Sequence, residues 1–209
     1  ATAIVKKDGI IIKGKKVEYF KDDSFLLIKN GRILTTTKNF EIDSDIIEYK
    51  IDKSMLYLRE NVKVKDNVNN LLMSSNEIDY NVKKQKIISQ DSSEIIDEFN
   101  NIYKVDGFEY SISNRIIKLD NLIALDKDKN SFLVDLSYLD LNKKELIAKD
   151  IAMNFKLTET SENEPRLKGR SLISNEQNTI IKKGTFTFCK KREACPPWEM
   201  SADEIRHDK

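Results

Sequence analysis

Five tyrosines recur at a near-constant interval. Tyr19, Tyr49, Tyr80, Tyr110 and Tyr138 lie 30, 31, 30 and 28 residues apart. Each ends a short run of the type "KKVEY", "DIIEY", "NEIDY", "GFEY" or "VDLSY", and each is followed by a polar cluster, in turn "DDS", "DKS", "KKQ", "SNR" and "NKK". An aliphatic run comes next, then a second polar break, seen at "TTTKN", "DNVNN", "DEFNN", "DKDKN" and "TETSENE". A period of this length marks a stacked architecture in which each unit buries its face on its neighbours. The unit reads as strand, tight turn, strand, turn.

Helical spacing does not fit these runs. They are short and rich in Ile, Leu and Val, and Asn, Asp and Ser interrupt them at turn positions. Alternation places Ile47, Tyr49 and Ile51 on one face, and Leu56, Leu58, Val62 and Val64 on one face of the return strand. The polar triplets "KNG", "REN", "LDN" and "AKD" fall ten to twelve residues after a tyrosine. We read them as bulges or bends that curve the sheet. The expected fold is all-β: a curved, V-shaped antiparallel β-jellyroll of stacked strand repeats, with the tyrosines serving as architecture.

Such a stack has an interior, a charged exterior and two open ends. A closed interior is a core, whereas an open one is an apolar trough suited to acyl chains, each buried CH₂ contributing roughly 0.8 kcal/mol. The candidate lining residues are Tyr49, Ile51, Leu58, Val62, Tyr80, Val82 and Tyr110 in the first repeats. Ile112, Leu119, Ile123, Leu136, Tyr138, Ile147 and Phe155 continue the set. Register decides which face each one takes, and a slip of one residue reverses it. The terminal strands carry unpaired backbone groups that suit pairing with a similar sheet.

Signals for chemistry are sparse. The chain has one histidine, His207, and six scattered glycines, so neither a Ser–His–Asp set nor a phosphate loop is indicated, and no cofactor is expected. With 36 basic and 35 acidic residues the chain has no field for nucleic acid, and no run approaches the roughly 20 apolar residues of a membrane helix. Cys189 and Cys195, with five residues between them, sit poorly with zinc spacing even with His207 and Asp203, Glu204 or Asp208 nearby. They remain disulfide candidates, with each other or with outside partners, or free thiols. The chain begins at Ala1 without Met, which leads us to expect a processed or trimmed product.

The last 26 residues, "GTFTFCKKREACPPWEMSADEIRHDK", hold the chain's only Trp and His and both cysteines. Gly184, Phe186, Thr187, Cys189, Pro196, Pro197, Trp198, Ala202, Ile205, His207 and Asp208 resemble a segment of the OstA (LptD, organic solvent tolerance) family of lipopolysaccharide-assembly proteins. In that family the segment lies just ahead of an outer-membrane barrel. The resemblance implies a non-enzymatic periplasmic domain attached to the outer membrane of a Gram-negative bacterium. It would take lipopolysaccharide from an LptA-like bridge protein by edge-strand pairing and pass the lipid A moiety to a barrel that works with an LptE-like lipoprotein. It also implies that Cys189 pairs with a barrel cysteine, with Cys195 a variation or a local partner, that Trp198, His207 and Asp208 belong to a junction, and that the chain is a fragment lacking its barrel. The expected organisation is a repeat domain over 1–157 and C-terminal strands with the junction over 158–209. The competing readings are a β-solenoid scaffold with a filled core and, further off, a polysaccharide-acting enzyme.

Overall fold

The computed structural model describes residues 3–35, 39–98, 100–125, 131–154, 164–175, 177–189 and 198–208. These residues form sixteen strands and no helix. In chain order they are β1 (Ala3–Lys7), β2 (Ile10–Phe20), β3 (Phe25–Thr35), β4 (Phe40–Lys50), β5 (Met55–Asp66), β6 (Leu71–Asn81), β7 (Lys86–Ser89) and β8 (Ser93–Ile96). Then come β9 (Ile102–Val105), β10 (Gly107–Ser111), β11 (Ile116–Leu125), β12 (Ser131–Asp140), β13 (Glu145–Asn154), β14 (Glu164–Ser174), β15 (Asn178–Cys189) and β16 (Met200–Asp208). The chain divides into two compact units, Ala1–Asn100 with Asp106–Asn114, and Asn101–Val105 with Arg115–Lys209. The expected boundary after residue 157 falls within 155–163, outside the described residues.

In the first unit the strands pair antiparallel in the order β1 to β7 and then β10, with β8 also on β6. In the second the order is β9, then β11 to β16. The all-β antiparallel class read from the repeat is therefore the observed one. Every polar cluster that follows a tyrosine forms a tight turn. The last residue of each cluster, Ser24, Ser54, Gln85, Arg115 or Lys144, has φ between 49° and 55°. The turns are tied to one another: Ile51 N donates to Ser24 O at 3.1 Å, Val82 N to Ser54 O at 3.0 Å, and Ile112 N to Gln85 O at 2.9 Å. Leu141 N and Arg115 O repeat the bond in the second unit at 2.9 Å. Left-handed backbone costs a side-chain-bearing residue about 1–2 kcal/mol, so the stacked register overrides local preference at these positions.

Bends form where the sequence placed the polar triplets, and in β4 to β6 they come with true bulges that shift the register. Asn30, Glu60, Asn61, Asn121 and Asp150 have positive φ in mid-strand, as does Lys183 in β15. At the shifts in register between Asp43 and Ile46 and between Arg59 and Val62 the ladder loses pairs. Buried Ser44 compensates, its single hydroxyl proton shared between Ile46 O at 2.8 Å and Arg59 O at 2.9 Å. Buried carbonyls left without partners are costly, so a small hydroxyl belongs at this point.

The thirty-residue period has a direct geometric meaning. Tyr19 pairs with Leu26, Leu26 with Tyr49, Tyr49 with Leu56, Leu56 with Tyr80, Tyr80 with Ile87, and Ile87 with Tyr110. Tyrosine and aliphatic side chains thus alternate along one straight cross-strand row. In β12 the matching depth belongs to Leu139, which pairs with Ile117 and with Leu146. Tyr138 is one residue out of step, as its shorter interval of 28 foreshadows.

Candidate functional site

The left-handed bend at Asn121 decides what lines the second unit. Before it, Ile117 and Leu119 are buried; after it the parity changes and Leu122 is buried while Ile123 points out. Asp150 acts alike in β13, where Ala148 and then Ile151 face inward. The inward residues enclose an apolar groove of about 180 Å³. Leu122, Phe132, Val134, Ile151 and Met153 lie on the far side of the bends, and Leu146 and Leu172 on the near side, with Asn101, Tyr103 and Ser174 among the polar lining groups. The groove therefore runs between the two halves into which the bends divide each strand. Cross-strand register carries the apolar lining onward from Met153 to Leu167, Phe186 and Met200. There a second, wider depression of about 550 Å³ is walled by Leu167, Phe186, Met200, Ala202 and Ile205. A surface of this kind offers hydrocarbon burial with few hydrogen bonds to restrict position.

The first unit uses the same bend differently. Its largest wholly buried side chains include Tyr49, Tyr110, Phe108, Ile28, Ile47, Leu56, Leu58 and Met73. Tyr49 lies beside the 51–54 turn, at the end of the strands opposite Asp8, yet its hydroxyl donates to Asp8 Oδ2 at 2.5 Å. Ser54 Oγ donates to the same oxygen at 2.8 Å. Tyr110 repeats the pattern: its hydroxyl donates to Asp66 Oδ2 at 2.7 Å, and its ring packs 6.0 Å from that of Phe40. Asp66 is wholly buried and also accepts from Asn69 Nδ2 at 2.6 Å and from the amides of Val68 and Asn69. The two half-sheets of the first unit are thus drawn together over a filled interior by two Tyr–Asp hydrogen bonds.

The electrostatics follow these contacts. The bond from Tyr49, then that from Ser54, holds the Asp8 carboxyl below its ordinary value. Burial, reinforced by Asp8, pushes the Tyr49 phenol well up. Burial alone raises Tyr80 to about 12. Tyr49 and Tyr80 both stay neutral at physiological pH.

Of the lining residues expected from sequence, Tyr49, Leu58, Val62, Tyr80, Val82, Tyr110 and Leu119 are buried. Only Leu119 among these belongs to the grooved unit. Ile51 and Ile112 are half-buried in turns. Leu136 is half-buried and stands in register with Asp120 and Lys149 on the outer side. Ile123, Tyr138 and Ile147 are outward, at 43%, 42% and 41% exposure. Simple alternation carried across a bend puts these residues on the wrong face. The residues that do line the groove, such as Leu122 and Ile151, were missed, although the triplets "LDN" and "AKD" just before them signalled the change of parity. Phe155 and Cys195 lie outside the described residues, and Cys189 is placed only as the last residue of β15. Trp198 is exposed, its ring 6.4 Å from Phe186 and its carbonyl accepting from Thr187 Oγ1 at 2.8 Å. His207 is placed in β16 opposite Thr179, and Asp208 pairs with Arg206 at 3.0 Å. No trio of metal-ligating side chains is found among the described residues.

No curated protein sequence matches the chain. One similar solved structure is the crystal structure of LptH, the LptA homologous periplasmic component of the conserved lipopolysaccharide transport device from Pseudomonas aeruginosa. It is 13% identical, with 53% of this chain and 81% of that one covered at a TM-score of 0.48. Residues 2–123, more than half of the sequence and including all of the first unit's described strands, match the family described as "Lipopolysaccharide-assembly, LptC-related", a family of transport rather than catalysis. The chain therefore belongs to the LptC-related family of lipopolysaccharide-assembly proteins.

Proposed function

We propose that the chain is a periplasmic module that conducts lipopolysaccharide along an apolar interior and holds acyl chains in the groove of its second unit. The observation that carries this reading is the lining itself, aliphatic and aromatic from Leu122 to Met200, with polar groups few along the way. Edge strands support pairing with like-folded partners. β1 covers only Ile10–Gly14 of β2, so the edge over 15–20 has no strand beside it among the described residues. At the other end β16 is paired on its β15 side alone among the described residues. The resemblance of the 184–208 segment to the OstA junction supports the finer placement, in which this end faces an outer-membrane barrel and its LptE-like lipoprotein. That segment lies beyond the 2–123 match, so the two lines of support are independent.

A photoreactive residue at Met153 or Leu172 is expected to trap lipopolysaccharide in cells, and one at Tyr138 or Lys50 is not. Equal labelling at all four positions overturns the conduit. The dense first unit favours a second reading, a structural β-scaffold that binds no lipid, and absence of labelling at every position supports it.

A further inference from the structure

We infer that the Tyr49–Asp8 and Tyr110–Asp66 hydrogen bonds are clasps that must open before an acyl chain can occupy the first unit. The inference rests on the conduit reading and adds where that conduit is shut. Both bonds join residues at opposite ends of the bent strands, 41 and 44 residues apart in sequence, so each spans the mouth between the half-sheets. They are the work of one repeated design, since Tyr49 and Tyr110 stand on the same cross-strand row. The interior behind them is filled by the unit's own side chains, including Leu56, Leu58 and Ile47, so a lipid tail gains entry only if the halves part.

The second unit supplies the contrast. On its continuation of the row stand Leu139, Leu146, Ser174 and Thr179, with no tyrosine among them. Ser174 and Thr179 bond to each other at 2.8 Å. The groove lies in the unit whose row carries no tyrosine. The Asp8 clasp is the weaker closure. Its carboxylate is solvent-exposed, and it sits on the turn after a five-residue strand that pairs over Ile10–Gly14 alone. The Asp66 clasp is buried and held by four further hydrogen bonds to the pair. Opening therefore starts at the β1–β2 turn.

The test combines amide hydrogen exchange with photocrosslinking, using Tyr49→Phe and, as a variant that leaves the core untouched, Asp8→Ala. Tyr49→Phe removes one hydrogen bond and Asp8→Ala two, and loss of even one from a local opening equilibrium speeds exchange by roughly fivefold or more. That acceleration is expected at β1 and the 8–10 turn in both variants. Lipopolysaccharide capture by a photoreactive residue at Leu58 should rise by a similar factor, with capture at Met153 unchanged. Unchanged exchange in both variants overturns the clasp. Faster exchange with unchanged capture at Leu58, while Met153 still captures lipid, overturns its role in admitting lipid. Faster exchange with no capture at either probe instead overturns the conduit reading itself, and with it the gate.

Discussion

The two units are built from the same hairpin, with the same turns and the same mid-strand bend, yet one is filled and the other is grooved. In the first, four tyrosines stand on one row with Leu or Ile between them, and two of them reach across to a carboxylate. In the second, the row loses its tyrosines through a shift of a single residue at Tyr138, and the halves are left with an apolar gap between them. A fold of this kind is thus switched between core and conduit by the side chains at one depth of the sheet rather than by its topology.

The contrast can be broken most forcefully by cavity formation. Leu58→Ala removes a wholly buried side chain from the first unit and should cost about 2–5 kcal/mol in urea denaturation. Met153→Ala, on the groove wall, should cost less than about 2 kcal/mol, because its space is already in part open. Equal losses would mean that the second unit is packed as tightly as the first. Close backbone approach gives the next test. A Cβ at Gly14 would come within 2.2 Å of Ile28 Cγ2, on a stiff branched carbon in the core, whereas one at Gly184 meets the mobile end of Ile205 at 2.5 Å. Gly14→Ala is expected to lower stability by about 1–3 kcal/mol and Gly184→Ala by less than about 1.

Removing a clasp sharpens the comparison further. Tyr110→Phe should cost about 1 kcal/mol, at the low end for a buried acceptor because Asn69 and two amides still serve Asp66. Tyr138→Phe, on the outer face, should fall within about 0.5 kcal/mol of wild type. The smallest effect concerns pH. Asp8 is held below its ordinary value near 3.8, so the folded state binds its proton less readily than the unfolded chain. Its contribution is present at neutral pH and is lost as pH falls through and below that value. The stability difference between wild type and Tyr49→Phe should therefore shrink below about pH 3.8 and stay flat from pH 5 to 7.

Much of this architecture was legible in the sequence because turns and bulges are local events. Clusters such as "DKS" and triplets such as "KNG" announce left-handed backbone through the residues they contain, and Ser54 and Asn30 adopt it. The side chosen by each strand beyond its bend was not legible in the same way. Leu119 and Ile123 share parity in sequence and face opposite directions in space, because the left-handed backbone at Asn121 turns the strand between them without shifting its register. The Tyr49–Asp8 bond was hidden for another reason. It joins residues 41 apart whose meeting depends on the curvature of the whole first unit. Asp8 in isolation reads as an ordinary turn aspartate.

The turn-to-turn hydrogen bonds impose a rule on how such a chain can change its size. Ser24, Ser54 and Gln85 each hand a carbonyl to the following turn, so a gene duplication of about thirty codons would slot a complete hairpin into the series and leave every later partner in place. An insertion of any other length inside a strand would throw all downstream hairpins out of step with the bends. Reach across a compartment is, for a protein of this design, available only in whole increments.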